Sequence, residues 1–205
     1  LRHGVNPIAE VGGLRAAMTM LGETANTVPR STITTYAGAN PPGERRRSFT
    51  GSDEEEMFIA GLHESYIALD AAVHVMAQAQ LCDGRDRASA YDSLQLSSVA
   101  MDAMVKSIVS VYRGITPEYF TGTMRPYFEP LELNGQHYSA AGGGQLPLVA
   151  LETMLWGLDD EDAAWRDFYD ENFPYLSPGQ RQAVDVFSRK NGNTSMLSIA
   201  VQEAG

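Results

Sequence analysis

Arg125 is set among aromatic side chains, and an arginine so placed is a natural clamp for a carboxylate. Its planar guanidinium can pair both oxygens while neighbouring rings hold an apolar body. A helix starts just before it. Thr116 is suited to cap the N-terminus, Pro117 fits the first helical position, and Glu118 complements the positive end of the dipole. From Phe120, the side chains of Met124, Tyr127 and Phe128 share one face by three-and-four spacing, with Arg125 beside it. Spacing alone favours the plainer arrangement, in which the arginine stem packs along the surface and its charge stays in solvent.

A second unusual stretch follows the turn Leu133-Asn134-Gly135. Ala140-Ala141 leads into Gly142-Gly143-Gly144-Gln145, and then into Leu146-Pro147-Leu148-Val149. Adjacent glycines suit a backbone that bends sharply or approaches something flat. Pro147 marks a helix start whose preceding amides can meet an anion, although no phosphate-loop lysine follows. A plain flexible lead-in to the helix accounts for the pattern equally well.

Other chemistries find little support. His63 and His74 are eleven residues apart on one predicted helix, which places them on one face but about 16 Å apart along the axis. They cannot share a metal, and neither has a carboxylate and second histidine at the spacing of a zinc or non-haem iron site. A surface or core histidine is the plainer reading of each. There is no serine elbow, and Cys82 lacks a histidine and acid framework. Asp159-Asp160 and Glu54-Glu55-Glu56 look like helix-start charges. The basic triplet Arg45-Arg46-Arg47 can receive an anion, with a solvated turn the plainer reading. This pattern favours chemistry carried by a bound cofactor, with the protein orienting and excluding water.

The elements that must position these residues are helical. Ile8, Val11, Leu14, Met18 and Leu21 give an amphipathic helix within 5–27, weakened by Gly12-Gly13. Residues 28–44 read as irregular chain, and an irregular stretch of that length in a compact domain is often functional. Ser52-Asp53-Glu54-Glu55 predicts a capping box opening a long helix to about Cys82, stopped by Asp83-Gly84. A second long helix is expected from Arg87 to Arg113, with Leu94, Val99, Met101, Val105, Ile108 and Val109 on its apolar side, packed antiparallel to the first. Further helices are expected over 148–158, carrying Trp156, and over 160–172. Another starts at Ser177-Pro178, and a turn at Asn191-Gly192-Asn193 precedes the last, over 194–203. The expected fold is an all-α bundle of about seven to eight helices in one domain over 1–205, with an irregular pocket segment at 28–51.

The chain has 205 residues, 43% of them apolar, and a formal net charge of −11. That charge argues against nucleic acid or an anionic membrane as partner. A single cysteine excludes an internal disulfide and fits a cytoplasmic location. No apolar run reads as membrane-spanning. Leu1 is not an initiator methionine, and the chain stops directly after an apolar helical pattern, so the sequence reads as cut at both ends.

The order Thr116-Pro117-Glu118, Phe120, Met124-Arg125-Pro126-Tyr127-Phe128, Tyr138 and Ala140-Ala141-Gly142-Gly143-Gly144-Gln145-Leu146-Pro147 resembles the indoleamine and tryptophan dioxygenase superfamily of histidine-ligated haem proteins. It is most similar to the bacterial branch, which includes a pyrrolnitrin-pathway enzyme that rearranges a chlorinated tryptophan. The resemblance is strongest over 108–204 and looser over 28–80. It implies a haem b enzyme, dioxygenase-like, acting on tryptophan or a related indole amino acid by oxidation or oxidative rearrangement. It further implies that Arg125 binds the substrate carboxylate and Phe120 packs on the indole ring. Tyr36 and His63 would line the distal pocket, and Gly142, Gly143, Gly144 and Gln145 would border the haem near a propionate, for which the arginine triplet is a further candidate. The family's iron-ligating histidine is expected beyond the position of Gly205. The competing expectation is a helical binding or scaffold domain that keeps this fold without haem.

Overall fold

The computed structural model describes residues 7–81, 87–142, 145–157, 162–191 and 195–202. Cys82, the expected stop at Asp83-Gly84, the loop glycines Gly143 and Gly144, the pair Asp159-Asp160 and the turn residues Gly192-Asn193 lie outside the described residues.

The first amphipathic pattern forms two pieces, α1 (Pro7–Glu10) and α2 (Leu14–Thr24), interrupted at Gly12-Gly13. The two long helices follow as expected: α3 spans Asp53–Leu81 and α4 spans Arg87–Gly114. They run antiparallel, with Met57 against Gly114 and Gly61 and Ser65 against Ser107. The Ser65 hydroxyl donates to Ser107 Oγ at 2.8 Å, and Ser107 Oγ donates to the Gly61 carbonyl.

The face that α4 buries is not the one expected. Leu94 packs on the core, but Val99, Val105 and Ile108 are more than half exposed, and Met101 and Val109 are exposed too. The buried side is Ser93, Ser97, Ala100 and Ser107, joined by Leu96 and Met104. Small residues let α3 approach closely. Each serine stays satisfied, since Ser93 and Ser97 donate to the carbonyls one turn back at 2.8 and 2.7 Å. Apolar periodicity therefore pointed to the wrong side. The same exposure corrects another expectation, because Tyr91–Gly114 is long and apolar enough by length and composition to cross a membrane.

The remaining helices are α5 (Pro117–Tyr119), α6 (Leu148–Trp156), α7 (Ala163–Asn172), α8 (Pro178–Asn191) and α9 (Met196–Gln202). α7 is capped by Asp162, whose Oδ1 accepts from Trp165 N at 3.0 Å. α8 begins with a reciprocal capping box: Ser177 Oγ accepts from Gln180 N, and Gln180 Oε1 accepts from Ser177 N. α6 is the buried helix predicted, except that its last residue, Trp156, projects to solvent. With α1 and α5 as single turns, seven longer helices remain among the described residues. The fold is all-α. Among the described residues it is joined by one hairpin, β1 (Leu131–Leu133) and β2 (Gln136–Tyr138), turned by Asn134 and Gly135 at φ 54° and 75°. The turn expected at Leu133-Asn134-Gly135 is thus the tip of a hairpin, for which an Asn-Gly pair is a strong signal.

The main core gathers Leu69, Val73 and Met76 of α3, Leu151 and Met154 of α6, and Val184 and Phe187 of α8. Gln180 crosslinks this core, its Nε2 reaching Asp70 Oδ1 at 2.6 Å and the Tyr66 hydroxyl at 2.9 Å. Tyr66 in turn donates to Thr34 Oγ1 at 3.2 Å. Gly38 lies against the face of that fixed ring, and a Cβ there would stand 2.6 Å from two of its carbons. Gly38→Ala is therefore expected to lower the urea midpoint, at a cost of about 1–3 kcal/mol for forced repacking. An unchanged midpoint would mean that the ring yields freely.

Candidate functional site

The irregular segment after α2 contains a π-helical turn, Thr34–Gly38, closed by Ala39 N to Thr34 O at 2.7 Å. A second π-helical turn, Phe120–Met124, follows α5. Each carries one of the aromatic candidates, Tyr36 and Phe120. Wide turns of this kind are rare and frequent at functional sites, because they re-aim side chains that a regular helix would hold elsewhere. The segment expected as one helix from Thr116 is thus three short turns: α5, the π turn and a 3₁₀ turn at Arg125–Tyr127. Its predicted start holds, with Thr116 Oγ1 accepting from Tyr119 N.

The two turns meet in a second, aromatic core. Tyr36, Ala37, Ile59, Met124 and Phe128 are buried there, and Phe58, Leu62, Phe120, Ala140 and Ala141 pack against them. Phe120 lies 5.8 Å from Phe58 and 6.5 Å from Phe128, centroid to centroid. Tyr36 stacks on Phe49 at 5.3 Å, and Phe49 stacks on Tyr127 at 4.9 Å. His63 enters from α3, its Nδ1 3.0 Å from the Ala37 carbonyl. A carbonyl only accepts, so Nδ1 carries the proton and a neutral His63 presents Nε2 as an acceptor. Of the other histidines, His74 is exposed and bonded to the Asp70 carbonyl, and His137 is exposed on the hairpin.

The glycine loop reaches the same cluster through Ala140 and Ala141. Gln145 is buried, its Nε2 donating to Ala140 O at 2.7 Å, while its Oε1 is buried and unpartnered among the described residues. A Cβ on Gly142 would meet only the Ala140 carbonyl, at 3.8 Å, so that edge of the loop is open. Tyr36, Phe120, His63 and the Gly142 and Gln145 ends of the loop are thus held around one aromatic cluster. Arg125 shares the Phe120 turn but is exposed, and its guanidinium makes no hydrogen bond or ion pair among the described residues.

The frame of this cluster is a carboxylate read only as part of the helix cap. Glu55 is fully buried and accepts four hydrogen bonds: from Phe49 N (2.8 Å), Thr50 N (2.6 Å), Thr50 Oγ1 (2.6 Å) and the Tyr36 hydroxyl (2.9 Å). The expected box is therefore half formed. Ser52 Oγ does accept from Glu55 N, but the glutamate turns away from Ser52 N to hold Phe49, Thr50 and Tyr36. Tyr119 joins this network through hydroxyl contacts to Thr50 and Ser52, tying the Phe120 turn to the start of α3.

Burial alone would raise the Glu55 carboxyl, but its backbone and hydroxyl donors outweigh that and hold it below the usual carboxylate range. Burial first, and the adjacent Glu55 charge second, push the Tyr36 phenol upward. A carboxyl depressed in the folded state contributes stability that is complete above its unfolded value, about 4.3, and is lost as pH falls through the lower folded value. Acid titration of unfolding should therefore show stability falling below about pH 4.3, with a shallower fall in Glu55→Gln. Identical slopes would contradict the assignment.

Among the described cavities, the one walled by α2 and the segment after it has a volume of about 530 Å³, and of the candidate residues Tyr36 and Arg47 reach it. Phe120, His63, Arg125, Gly142 and Gln145 do not line it, so Tyr36 stands between that cavity and the Phe120 cluster.

The sequence model of the monodechloroaminopyrrolnitrin synthase PrnB family matches residues 1–205, the whole chain, and so covers the aromatic turns and the glycine loop alike. The chain belongs to the monodechloroaminopyrrolnitrin synthase PrnB family.

Proposed function

We propose that the protein is a haem-dependent oxidative enzyme acting on tryptophan or a related indole amino acid. The observation that carries this reading is the meeting of Phe120, Tyr36, His63 and the Ala140–Gly142 chain around one aromatic cluster, in a chain of this family. The residues fit a flat apolar group. Aromatic rings and small side chains make up the cluster, the edge of Gly142 is open among the described residues, and the unpartnered Gln145 Oε1 marks a buried polar position that the described residues leave unfilled. Gly142, Gly143, Gly144 and Gln145 would hold the haem edge, and no described residue is assigned as the iron ligand.

When bound, haem supplies the activation of the oxidant. The protein's own groups bind and orient. Phe120 offers a ring face to the indole. Arg125, with no ion pair among the described residues, offers both guanidinium edges to the substrate carboxylate. His63 Nε2 can accept an N–H from the substrate. The surrounding rings exclude water from the cluster, which strengthens a polar contact made within it. In the haem-loaded protein, Phe120→Ala is expected to weaken L-tryptophan binding roughly tenfold, as for loss of one aromatic contact of about 0.5–1.5 kcal/mol plus buried area. Binding unchanged in that variant would remove Phe120 from the site.

A further inference from the structure

We propose that the cavity beneath α2 is a second binding site, for a small aromatic carboxylate, anchored by Arg47 and separate from the Phe120 cluster. At about 530 Å³ it has the size of a small-molecule site. Its lining includes Met18, Leu21, Val28 and Pro29 together with Tyr36 and Phe49. Such a lining suits a flat apolar body and leaves the choice of head group to the few charged side chains present.

Two arginines line the cavity, and their commitments differ. Arg30 is spent on the fold, donating to the carbonyls of Tyr138 (2.9 Å), Glu129 (3.2 Å) and Ser31 (3.3 Å). Arg47 makes one long contact, to Thr35 O at 3.4 Å, and is otherwise exposed at the rim. Of the rest of the triplet, Arg46 is paired with Glu56 at 2.7 Å and Arg45 does not line the cavity.

The backbone that presents Arg47 is built to stay in place. The Asn40 side chain, itself 2% exposed, accepts from Arg47 N at 3.0 Å and donates to Arg47 O at 2.7 Å and Tyr36 O at 2.8 Å. Two residues on, Phe49 N is held by Glu55. A guanidinium offered from a clamped backbone, beside the stacked Tyr36 and Phe49 side chains and an apolar wall, suits an anion with an aromatic body, and its planar fork favours a carboxylate. Among the described residues, no acidic side chain lines the cavity to oppose it.

The test is calorimetric titration of the protein with 3-phenylpropionate and with its uncharged amide. The acid is expected to bind the wild type more tightly than the amide. Arg47→Ala should weaken it at least tenfold, with Arg47→Lys in between. Leu21→Trp, at a position 63% exposed on the cavity wall, should fill the space and abolish binding without disturbing the core. Arg125→Ala and Phe120→Ala should leave it unchanged, which separates this site from the one proposed above. The proposal is overturned if the wild type does not bind the acid, or if either Arg47→Ala or Leu21→Trp leaves affinity unchanged. It is equally overturned if binding is lost in Arg125→Ala or Phe120→Ala.

Discussion

Glu55→Ala is expected to cost about 3–5 kcal/mol of folding stability, because one carboxylate satisfies donors from three separate residues. With the carboxylate gone, Phe49 N, Thr50 N and the buried Tyr36 hydroxyl lose their acceptor together. Each charge-assisted bond is worth roughly 1.5–3 kcal/mol, and the total falls short of a simple sum because water can reach the partly buried Thr50 amide. Glu55→Gln should cost about half as much, since an amide keeps one accepting oxygen but turns an NH₂ toward groups that are themselves donors. Chemical denaturation of both variants checks this. A loss under about 1 kcal/mol in Glu55→Ala would mean that the four contacts are replaced by solvent, and that the cluster around Tyr36 does not depend on them.

The second large effect concerns Arg125. In the haem-loaded protein, Arg125→Ala is expected to weaken L-tryptophan binding about 10–100-fold, the range for losing a charge-assisted contact of roughly 1.5–3 kcal/mol. Folding stability should hardly move, because the guanidinium is exposed and makes no hydrogen bond or ion pair among the described residues. That separation is the diagnostic. Arg125→Lys should recover charge but not the two-pronged geometry, and so only part of the affinity. A parallel loss of stability and binding would instead make Arg125 a structural residue.

How much of this was legible in the sequence depended on the range of the interaction. Helix starts were readable where one side chain acts on its own turn. Thr116, Ser52 and Ser177 all cap where expected, and Ser177 with Gln180 completes a full box. The turn at Asn134-Gly135 was legible, from a pair that tolerates positive φ, but the hairpin around it was not, because its strands are only three residues each and carry no visible alternation. Interactions reaching across the chain were not readable. Glu55 sits where a cap residue should, and nothing local says that its carboxylate prefers Phe49, Thr50 and Tyr36 to the Ser52 amide.

The burial of α4 failed for a related reason. Serines at 93, 97 and 107 count as polar in any periodicity, yet each hides its hydroxyl on a carbonyl and so packs as a small residue. The candidate site was legible as a set of residue types around Arg125 and the glycine loop. Its geometry was not, because the π-helical turns that aim Tyr36 and Phe120 have no signature in spacing or propensity. The cavity beneath α2 was likewise invisible, since Met18, Leu21, Val28 and Phe49 become neighbours only when residues 28–49 fold back over α2.

The central claim is tested most directly by titrating L-tryptophan into the haem-loaded protein while following the Soret band, in the wild type, Phe120→Ala and Arg125→Ala. The account predicts a saturable band shift in the wild type, with the half-saturating concentration raised about 10–100-fold in Arg125→Ala and less in Phe120→Ala. A protein that takes up no haem, or a haem band that does not respond to L-tryptophan, would contradict it and leave the fold as a helical binding domain. A response equal in all three proteins would keep haem and substrate but place the substrate elsewhere than beside Phe120.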